Sequence, residues 1–390
     1  MPPPEKDALG YPRFSDAELD RRRRLLLGVA EQAEVAGVVV YGEHWSGSAV
    51  PWLCEWPTTR AAALVVTPQE EDALLVQHHN HLPQAREIAR RCSVRWAGPS
   101  TTQTLCAELQ LRGLAGRKVG WIGPLSAAHA DALAGIDMHA VDLSSAYTRL
   151  RLRKSDEELV WLRQGAHLSD AGMLALRANA RPGMSEWELG DLIERAYVPH
   201  GGSTVIHHLC TTSMAEPDTA VPRQHRTHRT VRPGDAITAE ISAAWWGYSG
   251  QVLRTLAVEA EPTPLFADLH AVADAAFAAV VDVLRPGATA AQVIEASRVI
   301  EDAGFTVIDD LVHGFGGGYL PPVLGSSSRP AGPVPDFTFE AGMAVVVQPN
   351  VVTPDWRAGV QTGELVVIAD EGASSLHDVP RGLLPTGSQS

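Results

Sequence analysis

Apolar residues in the second half of this chain fall into short runs, each opened by a turn, and two of the runs carry a polar side chain at the same place. Pro233-Gly234-Asp235 opens the run Ala236–Ile241, which carries Glu240, and Gly247-Tyr248-Ser249-Gly250 leads into a second run, Gln251–Val258. The plan recurs downstream, where Glu340-Ala341-Gly342 opens Met343–Gln348 and a loop leads into Gly359–Ile368. Six residues past the glycine stands Glu240 in one copy and Gln348 in the other. Such runs predict buried strands paired as hairpins. A polar group inside one needs a partner or a task, because burying it bare costs about 1–3 kcal/mol.

The repeat extends upstream of the hairpins. Arg181-Pro182-Gly183-Met184-Ser185 is echoed by Arg285-Pro286-Gly287-Ala288-Thr289, and each leads into a helical pattern with capping-box spacing, Ser185…Glu188 and Thr289…Gln292. Gly202-Ser203-Thr204-Val205-Ile206-His207-His208-Leu209 is echoed by Gly304-Phe305-Thr306-Val307-Ile308-Asp309-Asp310-Leu311. The second half is therefore a duplicated helix–helix–strand–hairpin unit. Two such units pack about a pseudo-twofold axis, and a pocket is expected where the hairpins meet.

The first half has a different rhythm. Residues 1–14 lack periodicity and read as a loose arm. Ser15-Asp16-Ala17-Glu18 caps an amphipathic helix through Ala36, whose Arg21–Arg24 run reads as a solvated face. Val38–Tyr41, Ala61–Thr67, Asp72–Gln77, Ser93–Ala97 and Lys118–Ile122 read as strands alternating with helices, an α/β domain over residues 15–150. His78, His79 and His81 resemble a metal cluster, yet they fall where a strand hands over to a helix, and a polar loop is the simpler reading. Ser155-Asp156-Glu157-Glu158 then caps a long helix through Ala180 and opens the second domain, residues 151–390, whose last stretch, Asp370–Ser390, reads as a frayed end.

Composition narrows the class. A formal net charge of −14 over 390 residues argues against a nucleic-acid or anionic-membrane partner. With no apolar leader and no run of about 18 apolar residues, the chain is expected in the cytoplasm. Cys54, Cys92, Cys106 and Cys210 lack metal-type spacing and read as free thiols. Gly314-Phe315-Gly316-Gly317-Gly318 lacks the Lys-Ser/Thr of a phosphate loop and reads as a chain reversal.

Taken in order, Leu152-Arg153-Lys154-Ser155-Asp156-Glu157-Glu158, His225 ten residues before Asp235, the paired hairpins, His313-Gly314-Phe315-Gly316 and Glu340-Ala341-Gly342-Met343 resemble the creatinase / Xaa-Pro peptidase family. The resemblance covers nearly the whole chain. It implies an α/β creatinase-like amino-terminal domain and an α+β pita-bread carboxy-terminal domain with internal duplication. Metallopeptidases of this family hold two ions through two Asp, one His and two Glu, since hard divalent cations need several carboxylate oxygens. The matching positions here are Glu240, Gln251, His313, Gln348 and Gly363. Only His313 is retained and only Glu240 stays anionic, so no metal and no other cofactor is expected. Glu364 matches an acidic neighbour of the lost glutamate, but one shifted carboxylate would not rebuild the set.

Creatinase is the metal-free branch of the family, and the resemblance implies a similar logic. His225 matches its proton-shuttling histidine, and Arg60, in Thr58-Thr59-Arg60-Ala61, matches an arginine that reaches the neighbouring subunit's site, which implies a homodimer. Arg329 stands near a second carboxylate-binding arginine. The creatinase glutamates that hold the guanidinium group match Leu253 and Gln348, which argues against creatine itself.

The expectation is a metal-independent hydrolase cleaving a non-peptide C–N bond in a small carboxylated, nitrogen-containing substrate. His225 and Glu240 are its proton-transfer pair, with Gln251, His313 and Gln348 holding a neutral group and Arg60 and Arg329 an anionic end. The alternatives are a lyase, decarboxylase or isomerase on the same scaffold, a non-catalytic binding module, and an Xaa-Pro metallopeptidase. Glu240 also reads as a structural partner for Arg254.

Overall fold

The computed structural model describes residues 5–44 and 47–387, which divide into two compact units meeting at Arg151–Leu152. In the amino-terminal unit, β1 (Val38–Gly42), β2 (Ala62–Val66), β3 (Asp72–Val76), β4 (Cys92–Trp96), β5 (Lys118–Ile122) and β6 (His139–Asp142) form one mixed sheet in the order β4-β3-β2-β1-β5-β6. Every residue of β1, β2 and β3 is buried, because separate apolar clusters cover the sheet's two faces.

The helix α1 (Asp16–Gln32) starts at Ser15, whose side chain accepts from the Glu18 amide. Its arginine run is not a solvated face. Arg22 is wholly buried, pairs with Glu18 at 2.7 Å and donates to the Trp52 carbonyl, and Arg23 forks onto Asp72. The segment expected as a loose arm is likewise tied down at its end. Arg13 donates to the carbonyls of Glu87 and Ile88, and Phe14 is 3% exposed. His79–His81 form a single 3₁₀ turn after β3, the polar loop expected there.

The carboxy-terminal unit opens with α2 (Asp156–Asn179) and α3 (Glu186–Tyr197), both started by complete capping boxes, at Ser155/Glu158 and Ser185/Glu188. Then come β7 (Ser203–Ser213), β8 (Asp235–Trp245), β9 (Tyr248–Ala257), the core helix α4 (Pro264–Val283) and α5 (Ala290–Ala296). The chain returns through β10 (Val312–Gly314), β11 (Leu320–Leu324), β12 (Ala344–Val347) and β13 (Gly363–Ala369). The sheet order β11-β10-β12-β13-β9-β8-β7 sets the two hairpin strands β9 and β13 side by side at the centre.

The duplication is visible in matched backbone bonds. Gly183 N–H reaches Val231 O as Gly287 N–H reaches Phe339 O, and Glu186 N–H reaches Arg229 O as Ala290 N–H reaches Phe337 O. The box at Thr289/Gln292 repeats the one at Ser185/Glu188. The helix α2 packs on β8 and β9, and glycine makes the approach possible: a Cβ on Gly165 would lie 2.3 Å from the Tyr248 carbonyl oxygen.

The core helix and the tail each bear on an expectation. By length and composition α4 is long and apolar enough to cross a bilayer. Its buried residues Phe266, Leu269, Ala273, Ala276, Phe277 and Val280 recur every three or four positions and belong to the unit's main core, the pattern of an amphipathic core helix. The last stretch is not frayed through residue 387. Gly372–Ser375 pairs with β13, Leu384–Pro385 pairs with β9, and the buried His377 bonds Asp170 at 2.6 Å.

Arg254 joins the two halves of this unit. Wholly buried on β9, it donates to the carbonyls of Leu253, Gly363, Val379 and Pro380 and pairs with Glu364 of β13 at 2.5 Å. Replacing Arg254 by Met should cost about 3–5 kcal/mol in urea unfolding, because it strands a buried carboxylate. The double substitution Arg254→Met with Glu364→Met should recover much of that loss; if the double variant is no more stable than the single, the ion pair is not what couples the hairpins.

Candidate functional site

The strand pattern that buries β8 and β9 also aims their polar residues. Glu240 lies in β8 opposite Leu253 of β9 and opposite His208 of β7, and Gln251 lies in β9 opposite Ser242. Gln348 follows the last residue of β12, and His313 on β10 pairs with Val346 of β12. The side chains converge. Gln251 Nε2 donates to Glu240 Oε1 at 2.8 Å and to Gln348 Oε1 at 3.0 Å, with His313 beside Gln348 and Gln361 beside Glu240. Glu240, Gln251, Gln348 and His313 are 7%, 2%, 3% and 1% exposed.

Burial dominates the electrostatics here. It pushes the Glu240 carboxyl up to about 8, with the nearby Asp309 carboxylate adding to the effect and the Gln361 bond opposing it. Burial also lowers His313 and His208, so both imidazoles favour the neutral form. Tyr319 stacks on His313 with ring centroids 4.0 Å apart and hydrogen-bonds Asp310, and burial raises its phenol.

Beside the cluster lies a cavity of about 200 Å³ lined by His208, Val221, Pro222, Gln224, Glu240, Ile308, Asp309 and Gln361. A wider cleft of about 500 Å³ sits at the second Arg-Pro-Gly turn, where Arg285 and Glu295 are its titratable lining residues. The smaller cavity is the one that touches the hairpin cluster.

The sequence-predicted residues divide accordingly. Glu240, Gln251, His313 and Gln348 come together. His225 is exposed on the segment between β7 and β8, close enough for its charge to lower His208, and it is His208 that lines the cavity. Arg329 is half exposed and pairs with Asp310 at 3.6 Å. Arg60 is exposed in the amino-terminal unit, where its charge acts on His81. Glu240 is not Arg254's partner; Glu364 is. Asp309, Gln361 and Tyr319 were not singled out from sequence. The repeat held a signal for the first, since Asp309-Asp310 stands where the first copy has His207-His208.

The two-unit architecture with a duplicated carboxy-terminal half is the pita-bread peptidase fold. The pattern of metallopeptidase family M24 matches residues 161–370, more than half of the chain, and the chain belongs to that family. A probable dipeptidase PepE of Mycobacterium bovis is 29% identical over 263 residues, covering 65% of this chain and 65% of the relative, just under two thirds of its length. The solved structure of dipeptidase PepE from Mycobacterium ulcerans is 25% identical with a TM-score of 0.78, covering 96% of this chain and 99% of that one. An Xaa-Pro dipeptidase from Bacillus anthracis superposes with a TM-score of 0.81 at 20% identity, over 94% of this chain and 99% of that one. These findings overturn the expectation of a creatinase-like hydrolase of a non-peptide C–N bond: the chain is similar to dipeptidases.

The family's ion pair does not fit the residues present. Gln251 and Gln348 bring neutral amides where the family has carboxylates, weak and non-bridging ligands for a hard divalent ion, and Gln251 Nε2 bonds Glu240 and Gln348 while its Oε1 is buried without a partner. Gly363 cannot regain its ligand by substitution alone, because a Cβ there would lie 2.5 Å from the Val347 carbonyl oxygen and 2.8 Å from Gln348 Cα. Glu364 is spent on Arg254. Among the described residues no group of three or more His, Cys, Asp or Glu is placed to hold a metal ion.

The raised Glu240 carboxyl has a consequence for stability. The folded chain keeps a proton that the unfolded chain releases near 4.5, so stability falls as pH rises from there through about 8. The total loss should be roughly 5 kcal/mol. In Glu240→Gln, which mimics the protonated acid, this decline should flatten, leaving the variant the more stable protein at pH 9. Parallel stability–pH curves for the two proteins would contradict the assignment.

Proposed function

We propose that the chain is a hydrolase of peptide-type amide bonds that takes a dipeptide-sized substrate where its two hairpins meet. Family membership and the relatives named dipeptidase support the reaction class. The observation that carries the reading is the buried cluster of Glu240, Gln251 and Gln348, set at the family's reaction centre beside the small cavity.

In this reading Glu240, protonated at neutral pH, donates a hydrogen bond to the amide and a proton to its departing nitrogen. Neutral His208, whose Nδ1 is buried without a partner, is placed to accept a proton from the attacking water. His225 stands beside it as a relay to solvent. Gln251 and Gln348 fix the Glu240 rotamer. No step is routed through a divalent ion.

A second reading, a module that binds a peptide without cleaving it, is favoured by the loss of the family's ligand set. A panel of Xaa-Pro and non-proline dipeptides, followed by mass spectrometry, separates the two. Cleavage is expected, with kcat/KM falling about 100-fold or more in Glu240→Ala and in His208→Ala. Saturable binding with no product would establish the second reading; an absence of both binding and cleavage would reject each.

A further inference from the structure

His313 stands beside Gln348, at the end of the hydrogen-bonded chain away from Glu240, and takes no part in the proton transfers of Glu240 and His208. A carbonyl only accepts, so the contact of His313 Nδ1 with the Gly314 oxygen at 3.1 Å fixes the proton on Nδ1 and leaves the lone pair of the neutral ring on Nε2. The imidazole is 1% exposed, yet the residue lying on it is not buried. The Tyr319 ring stacks on His313 with centroids 4.0 Å apart and planes 18° apart, and Tyr319 is itself 51% exposed. The phenol ring therefore stands between this histidine and solvent.

What holds the ring in place is of a kind that lets go. Tyr319 Oη donates to the Asp310 carboxylate, which also pairs with Arg329 at 3.6 Å. Tyr319 and Arg329 are both half exposed, so water competes for each contact. The loop that carries the ring is anchored at its two ends, by the buried Phe315 and by the buried Leu320, which pairs with Gly314. Between them Gly316, Gly317 and Gly318 take φ values of +118°, +71° and +114°, and three glycines in a row bring no side chain to pin the loop. Around Gly318 even an added Cβ would meet nothing within 4 Å.

We propose that Tyr319 is a hinged aromatic cover on His313, latched by Asp310, which swings off its triglycine hinge before a substrate group can reach the imidazole. Once uncovered, His313 offers the acceptor Nε2 next to Gln348, a place for an amide N–H. The inference rests on the peptide-hydrolase reading for the identity of the incoming group and on the stack and its latch for the cover. While the cover is closed, apparent affinity is reduced by the fraction of molecules that are open.

Acylation of the full chain by diethyl pyrocarbonate, with each histidine followed by mass spectrometry, tests the cover without any substrate, because the reagent takes only an accessible neutral imidazole nitrogen. His313 should react slowly in the unsubstituted chain and about 3- to 10-fold faster in Tyr319→Phe, which keeps the ring and loses the latch. In Tyr319→Ala, which removes the ring, the gain should be about 10-fold or more. His208 is the internal standard: acceleration confined to His313 supports the cover, whereas acceleration shared by His208, or none in either variant, overturns it. Calorimetric titration with Ala-Pro tests the gating. Tyr319→Phe should bind it about 3- to 10-fold more tightly, since fewer molecules are closed. Equal or weaker binding overturns the gate and makes the ring part of the binding wall. If Ala-Pro binds to neither protein, the peptide reading fails, and the acylation rates, which need no ligand, still decide the cover.

Discussion

The buried guanidinium of Arg254 is the constraint on which this unit depends. Its five N–H bonds match four backbone carbonyls and one carboxylate, drawn from β9, from the start of β13 and from the segment at Val379–Pro380. A lysine could not reproduce that fork, having one nitrogen and three donors. Strands β9 and β13 carry few direct ladder partners, Val252 with Glu364 and Leu253 with Gly363. The arginine therefore supplies much of what holds one hairpin against the other.

That closeness has a chemical result. With β13 drawn in, Gly363 comes so near β12 that no side chain fits, and Glu364 is turned to the arginine rather than to the pocket. The space at the centre is left to side chains from the other strands. Gln251 bridges Glu240 and Gln348 across it, so each hairpin contributes one end of a single hydrogen-bonded chain. Removing any member would leave buried polar groups of the others unpaired, which makes the network a specifying element as well as a site.

Much of this was legible in the sequence where it was written twice. The capping boxes, the Arg-Pro-Gly turns and the polar residue six positions past each hairpin glycine survive as equivalent bonds, because a duplicated unit keeps its backbone requirements. Long-range charge pairing was illegible. Arg22 and Arg23 looked like solvent-facing charges because helical spacing cannot show that Trp52 O and Asp72 lie across from them. The tail looked frayed for a similar reason: Asp170, which anchors His377 and Asp378, lies some two hundred residues earlier. At the site, the repeated strand pattern gave Glu240 and Gln348 and the family resemblance gave Gln251, but Asp309, Gln361 and Tyr319 lie in irregular backbone, on which periodicity is silent.

The electrostatic economy of the pocket follows from the substitutions. Four carboxylates around two divalent ions are neutral as a set; one buried carboxyl is neutral with one proton. Two amides and a glycine in place of the other carboxylates remove the charges that would need cations, and the ionisation of Glu240 passes from the control of bound metal to that of solvent and of whatever occupies the cavity. A carboxyl with its midpoint near 8 gives up or takes a proton at little free-energy cost around neutrality, the condition under which general acid and base catalysis are both efficient. The fixed negative charge then belongs to Asp309, from the second copy of the repeat, opposite a histidine from the first. In the repeat Asp309 answers to His207 and Asp310 to His208, so the histidine and the aspartate that line this cavity are neighbouring rather than equivalent positions of the duplicated segment.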